Sequence, residues 1–85
     1  MSEMGIYAKY LYPENGYESS KTQAINAGLE VGERYAVSNV MMGQSNTSIF
    51  LEGIAGVFNS VQFEFEEEDG TPVDIYRDRR FNTYI

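Results

Sequence analysis

Five carboxylates fall within six consecutive positions: Glu64, Glu66, Glu67, Glu68 and Asp69, with Phe65 among them. Three kinds of chemistry use such a run. A hard cation needs several oxygens converging on one point. The Asp-x-Asp-x-Asp-Gly pattern that achieves this in a loop is absent. A strand, moreover, aims Glu64 and Glu66 along one face rather than at a centre, so no metal site is expected. A negative surface that competes for a basic groove is the second use. Alternate carboxylates on a strand stand about 6.6 Å apart, a spacing of the same order as the charges of a nucleic acid strand. The third use is plain solvation: charges on a strand face and hairpin tip keep a sheet edge from pairing with other chains.

The basic counterpart is Arg77, Arg79 and Arg80. A guanidinium cluster can hold a phosphate or carboxylate in bidentate fashion, which makes these three the alternative, anion-binding site. The acids within the chain, including Asp74 and Asp78, compete for the same guanidinia. Seven tyrosines are many for this length. Tyrosine offers a large apolar face and a polar tip, which suits interfaces. Tyr7, Tyr12 and Tyr17 cluster around the first turn and join the acidic run as candidate partner-binding residues. As strand filler, tyrosines with solvated hydroxyls need no partner.

Covalent and acid–base chemistry are poorly provided for. The 85 residues contain no His, Cys or Trp. Disulfides, thiolate or imidazole metal sites, and Ser-His or Cys-His nucleophile pairs are therefore excluded within the chain. Ser60 has no histidine to activate it, and nothing marks Lys9 or Lys21 as a lowered-pKa base. So short a chain leaves little room for both a core and a water-excluding pocket. No catalytic residue and no cofactor are expected, and the protein is read as not an enzyme.

Charge is unevenly spread. Thirteen acids against six bases give a net charge of -7, and seven of the acids lie in residues 64–85. Residues 35–63 hold a single charge, Glu52, and form the candidate core. The acidic balance repels nucleic acid and anionic membranes. Met1 to Gly5 lacks the basic and apolar regions of a signal peptide, and Gly43 to Asn46 interrupts the uncharged middle, so no membrane span is expected. A cytoplasmic location is the default.

The elements that must position these groups follow from alternation and turn residues. A first strand covers 5–12, with Ile6, Ala8, Tyr10 and Tyr12 inward, and ends at Pro13 to Gly16. Ser20 and Gln23 have capping-box spacing and predict one short helix near residues 20–28, closed by Gly28 and packed through Ile25 and Leu29. A second strand region spans 29–42, with a bulge near Ser38 and Asn39. A third covers 47–52, with Thr47, Ile49 and Leu51 on one side. Val57 to Glu66 reads as one long strand with Val61, Phe63 and Phe65 inward. Asp69-Gly70 is a hairpin tip, and a fifth strand or a helical turn follows Pro72. Phe81, Tyr84 and Ile85 predict a docked tail. The whole is a single domain, 1–85, mainly β (α+β). The expected body is a small five-stranded antiparallel SH3-like barrel with one helix, or a five-stranded sheet with that helix packed across it.

Three stretches carry a resemblance: Gly32-Glu33-Arg34-Tyr35-x-Val37-x-x-Val40, Ser45-x-Thr47-x-Ile49-x-Leu51, and Phe58-Asn59-Ser60-Val61-x-Phe63. In these the chain resembles small uncharacterised proteins of bacteria and their phages with an SH3-like or bent β-sheet body. The resemblance implies a mobile-element context and carries over no functional residues. Together with the charge, it leads to the expected function. That function is a non-enzymatic, acidic protein-binding module, encoded by a phage or prophage, that occupies a basic groove of a host protein. The module is expected as a monomer or small homo-oligomer, without direct nucleic-acid binding. The alternatives are a small-ligand or nucleotide-sequestering oligomer, or a structural or assembly subunit.

Overall fold

A computed structural model of the chain describes residues 4–43 and 45–81. Within them lie six antiparallel strands and one short α-helix: β1 (Ile6–Tyr10), α1 (Glu18–Asn26), β2 (Arg34–Met42), β3 (Thr47–Leu51), β4 (Ile54–Asn59), β5 (Phe63–Glu67) and β6 (Pro72–Val73). The strands form one sheet in the order β4-β3-β2-β1-β5-β6, with β4 and β6 as its unjoined edges. The fold is therefore mainly β, as expected, but with six strands rather than five and a sheet that is not closed.

The alternation in β1 and β3 turns out as read. Ile6, Ala8 and Tyr10 point inward, as do Thr47, Ile49 and Leu51. The register shift between Val37 and Asn39 is the bulge anticipated at Ser38. Gly28, at φ +78, closes the helix in a Schellman arrangement: its N–H donates to Ile25 O, and the Leu29 N–H donates to Ala24 O.

The helix start and its packing face differ from expectation. The helix begins at Glu18, two residues before Ser20, with Tyr17 at the N-cap and no side-chain capping bond. Ser20 Oγ instead accepts a 3.3 Å hydrogen bond from Asn59 Nδ2 at the end of β4. The inward residue is Ala24, fully buried, while Ile25 is 72% exposed. The helix meets β4 at Gly56, over which the end of the Gln23 side chain lies. A Cβ on Gly56 would lie 2.2 Å from Gln23 Nε2, and Gly56 has φ +123.

The largest correction falls on 57–66. It is two strands, β4 and β5, separated by a 3-10 turn at Ser60–Gln62. Asn59 caps that turn by accepting the Val61 N–H at 3.3 Å. The turn resets the parity, so that Gln62 is fully buried and Val61 is exposed. Phe63 and Phe65 still point inward, where Tyr10, Phe63 and Phe65 form a run of tilted ring contacts.

This short turn bends the whole sheet. Four Cα–Cα steps join Asn59 to Phe63 and span at most about 14 Å. In a flat sheet, the four strand spacings from β4 to β5 would need about 19 Å. The sheet must curl, and its concave face gathers Ile6, Ala8, Val37, Ile49 and Phe58 around Ala24 of the helix. After β6 the chain forms a turn and returns Ile75, fully buried, and Phe81 to the same core. Tyr84 and Ile85 lie outside the described residues.

The close approach at Gly56 generates a stability expectation. Gly56→Ala is expected to cost about 2–3 kcal/mol, from a strained positive φ together with the displaced Gln23. Gly70→Ala, with φ +92 but open space for its Cβ, is expected to cost about 1 kcal/mol. Urea unfolding of the two variants checks this, and equal losses would show that the helix contact constrains nothing.

Candidate functional site

The convex face of β2, β1 and β5 carries Glu64 and Glu66 of the acidic row and their partners; Glu67, opposite Ile6, alternates to the other side, and Glu68 and Asp69 lie in the turn beyond β5. β1 lies between the other two strands, so Tyr7 sits between Ala36 and Glu66, and Lys9 between Arg34 and Glu64. Arg34 reaches diagonally across this ladder. Its Cζ lies 4.1 Å from the Tyr7 ring centroid, and its Nε lies 2.8 Å from Glu66 Oε2. Its Nη2 also donates to the backbone carbonyls of Glu67, at 3.1 Å, and Glu68, at 3.2 Å. One guanidinium thus lies on an aromatic ring, neutralises a carboxylate and ties down the start of the hairpin.

The other carboxylates of the row are held differently. Glu67 Oε2 lies 3.3 Å from Arg80 Nη2. Glu64 accepts a hydrogen bond from the Tyr12 hydroxyl. Asp69 accepts the Thr71 N–H at 3.0 Å, and that bond holds its carboxyl below the ordinary range. Glu68 is exposed at the tip and has no side-chain partner among the described residues. The row is therefore on the surface, as expected, but two of its five charges are already matched by arginines of the same chain. Among the described residues, no three carboxylates gather closely enough to hold a metal ion.

The tyrosines do not make one patch. Tyr7 lies beneath Arg34 and Tyr12 bonds Glu64, so both belong to the acidic face. The inward orientation expected for Tyr12 is thereby corrected. β1 ends at Tyr10, and the N–H groups of Leu11 and Tyr12 both donate to Gln62 O, which breaks the alternation. Tyr17, 60% exposed, stands elsewhere, on a shallow depression of about 300 Å³ shared with Asn15, Asn46 and Asn59.

Nor do the three arginines converge. Arg77 Nε lies 3.7 Å from Asp74 Oδ2. Arg80 Nη2 lies 2.7 Å from Asp78 Oδ2, and its hydrogen bonds hold the Asp78 carboxyl below the ordinary range. Arg79 is exposed with no carboxylate partner among the described residues. The largest basic role on this face belongs to Arg34, which sequence reasoning missed. Parity alone puts Arg34 and Tyr7 on outward faces, but their contact depends on a register set across a long connection that contains the helix.

Beside the row, the open part of the β5 edge forms a notch. β6 pairs only with Phe65 and Glu66, leaving the start of β5 uncovered on that side. Phe63, Glu64, Phe65 and residues 72–76 line a groove of about 320 Å³ there. The Tyr76 hydroxyl lies 2.7 Å from Ser60 Oγ and braces the far wall. Beneath the neighbouring turn, the fully buried Gln62 donates from Nε2 to Pro13 O at 3.1 Å, which fixes the first loop against the start of β5.

Residues 5–85 match the family model of bacteriophage T4 protein Y07B. The chain belongs to that family. The match spans every strand and the helix, so the Y07B family shares this whole unit and not a fragment of it. No curated protein and no solved structure matches the chain. Membership bears out the phage context implied by the resemblance, while an SH3-like body does not follow from it. No helix among the described residues is long and apolar enough to cross a membrane.

The Tyr12–Glu64 bond has a spectroscopic consequence. The bond raises the Tyr12 phenol above its ordinary value, because it favours the neutral, donating form. A raised folded-state value means that the stabilisation is fully present below the ordinary tyrosine value of about 10 and is lost as pH rises through the folded value. Ultraviolet or NMR titration should find Tyr12 among the last exposed tyrosines to ionise. Glu64→Gln should lower its value, since the carboxylate charge is gone; an unchanged Tyr12 titration would show that the bond is not made in solution.

Proposed function

We propose that this phage-family protein is a non-enzymatic, acidic binding module that engages a basic surface of a host protein. The observation that carries the reading is the uneven neutralisation of the acidic row. Arg34 and Arg80 match Glu66 and Glu67, whereas Glu64 and the tip residues Glu68 and Asp69 face no arginine or lysine in an ion pair among the described residues. The matched pairs fix the hairpin in place, and the unmatched carboxylates are presented on it. With a net charge of -7, the field around this end of the sheet favours a cationic partner and speeds encounter with it. The absence of imidazole and thiol groups supports a binding role over a catalytic one. The strand order, with β1 to β4 in sequence and β5 returning beside β1, supports reading the body as an SH3-like meander opened along the β4–β6 seam.

The anion-binding alternative has less support, because Arg77 and Arg80 already face Asp74, Asp78 and Glu67. Two salt concentrations and one charge reversal test the favoured reading. Host proteins captured by the chain at about 0.05 M salt should be largely lost at about 0.3 M, where the Debye length has roughly halved. Glu68→Lys should weaken binding of the captured partner about tenfold, while Glu30→Lys, on the loop after the helix, should change it less than about twofold. Capture that survives both the salt and Glu68→Lys would remove the electrostatic basis of the proposal.

A further inference from the structure

The notch at the start of β5 combines features that Arg34 brings together elsewhere on the same strand. Arg34 lies on the Tyr7 ring with its Nε on Glu66. Two residues earlier, Glu64 points to the same convex side, but among the described residues no arginine or lysine forms an ion pair with it. In place of a cation it has the Tyr12 hydroxyl, which occupies Oε2. The groove next to Glu64 is lined by Val73 and the exposed Tyr76 over the buried Phe63 and Phe65, and Asp74 also lines it. Asp74 Oδ1 accepts the Tyr76 N–H at 3.0 Å, which fixes the carboxylate beside the groove, while Oδ2 has only a 3.7 Å contact with Arg77, whose side chain is 89% exposed.

We propose that this notch receives an arginine side chain of the basic partner, an inference that rests on reading the chain as an acidic binding module. About 320 Å³ of open groove is room enough for one long side chain. The lining selects arginine over lysine. A guanidinium is flat and weakly hydrated, stacks on rings and meets a carboxylate with two donors. A lysine ammonium is compact and strongly hydrated, and would give up more solvation for one contact. Charge complementarity comes from Glu64 and Asp74. Lys9, opposite Glu64 in the ladder but not ion-paired with it, opposes the incoming cation and sets an upper limit on affinity.

The test uses two capped peptides, acetyl-Gly-Arg-Gly-amide and acetyl-Gly-Lys-Gly-amide, titrated into the full isotope-labelled chain and followed through its backbone amides. The arginine peptide should shift the amides of 63–65 and 73–76 saturably, with a dissociation constant on the order of millimolar. The lysine peptide should bind at least about threefold more weakly. Glu64→Gln keeps an acceptor for Tyr12 while removing the charge, and should weaken the arginine peptide about fivefold. Lys9→Gln, a variant on the opposite side of the charge balance, should strengthen it about twofold. Shifts centred on the hairpin tip, equal binding of the two peptides, or indifference to Glu64→Gln would each overturn the inference. Salt-sensitive capture of a host partner without peptide in the notch overturns this site and leaves the acidic-module reading standing. Peptide seated in the notch without any such capture supports the site and overturns that reading.

Discussion

The three-residue link between β4 and β5 is the constraint on which the rest of the molecule depends. A chain that leaves one edge of the sheet at Asn59 and must enter beside β1 at Phe63 cannot cross a flat surface. The curl that results turns one face into a cup. A cup is what lets a single helix and a short returning tail cover the apolar side of six strands. Ser60 and Gln62 make the link rigid. Both are buried, and the Gln62 carbonyl accepts from the N–H groups of Leu11 and Tyr12. Those hydrogen bonds fasten the end of β1 to the start of β5. Burying polar groups is costly unless they are bonded; Gln62 Nε2 is bonded to Pro13 O, whereas its Oε1 is buried with no hydrogen-bond partner among the described residues.

The same constraint decides where the charges meet. Because β5 joins β1 rather than β4, Glu64 and Glu66 come to lie opposite Lys9 and Tyr7, within reach of Arg34 on the strand beyond. The Arg34–Glu66 pair is part-exposed, with the two side chains 39% and 19% accessible, and solvent-screened contacts contribute about 1 kcal/mol each. Burial of a core side chain such as Phe58 or Ile49 contributes about 2 kcal/mol or more. Stability therefore resides in the concave face. The convex face is free to carry a charge pattern set by something other than folding, with Glu64 and Glu66 set against Lys9 and Arg34, while the chain as a whole has a net charge of -7.

Much of this was legible in the sequence wherever side-chain period alone decides the outcome. Alternation placed β1 and β3 with the right faces inward, a break in period located the bulge at Ser38, and a glycine marked the helix end at Gly28. Position 57–66 was misread because Val61, Phe63 and Phe65 keep a strand's period through a segment that turns. The signal for the turn was Asn59-Ser60, polar residues that cap backbone groups more readily than they pack. Ile25 was misread because apolarity alone does not decide which face of a short helix packs: Ala24 turns inward and is fully buried, while Ile25, one position on, is 72% exposed. The acidic row was found, and its internal partner Arg34 was not, since a contact across a long connection depends on register rather than on neighbours in sequence.

A body this small, with its concave face filled, keeps its chemistry on the rim. Edges are where a sheet offers unpaired backbone, and this chain protects one edge and exposes part of another. β6 is two residues long and begins with Pro72, a combination that resists strand addition. Because β6 is so short, however, it leaves Phe63 and Glu64 beside open space. Tyr76, its hydroxyl 2.7 Å from Ser60 Oγ, stands along that space. Under the proposed reading, an edge of this kind suits single inserted groups better than β-sheet extension. That is the mode open to a surface whose surplus charge is carboxylate and whose nearest apolar support is aromatic.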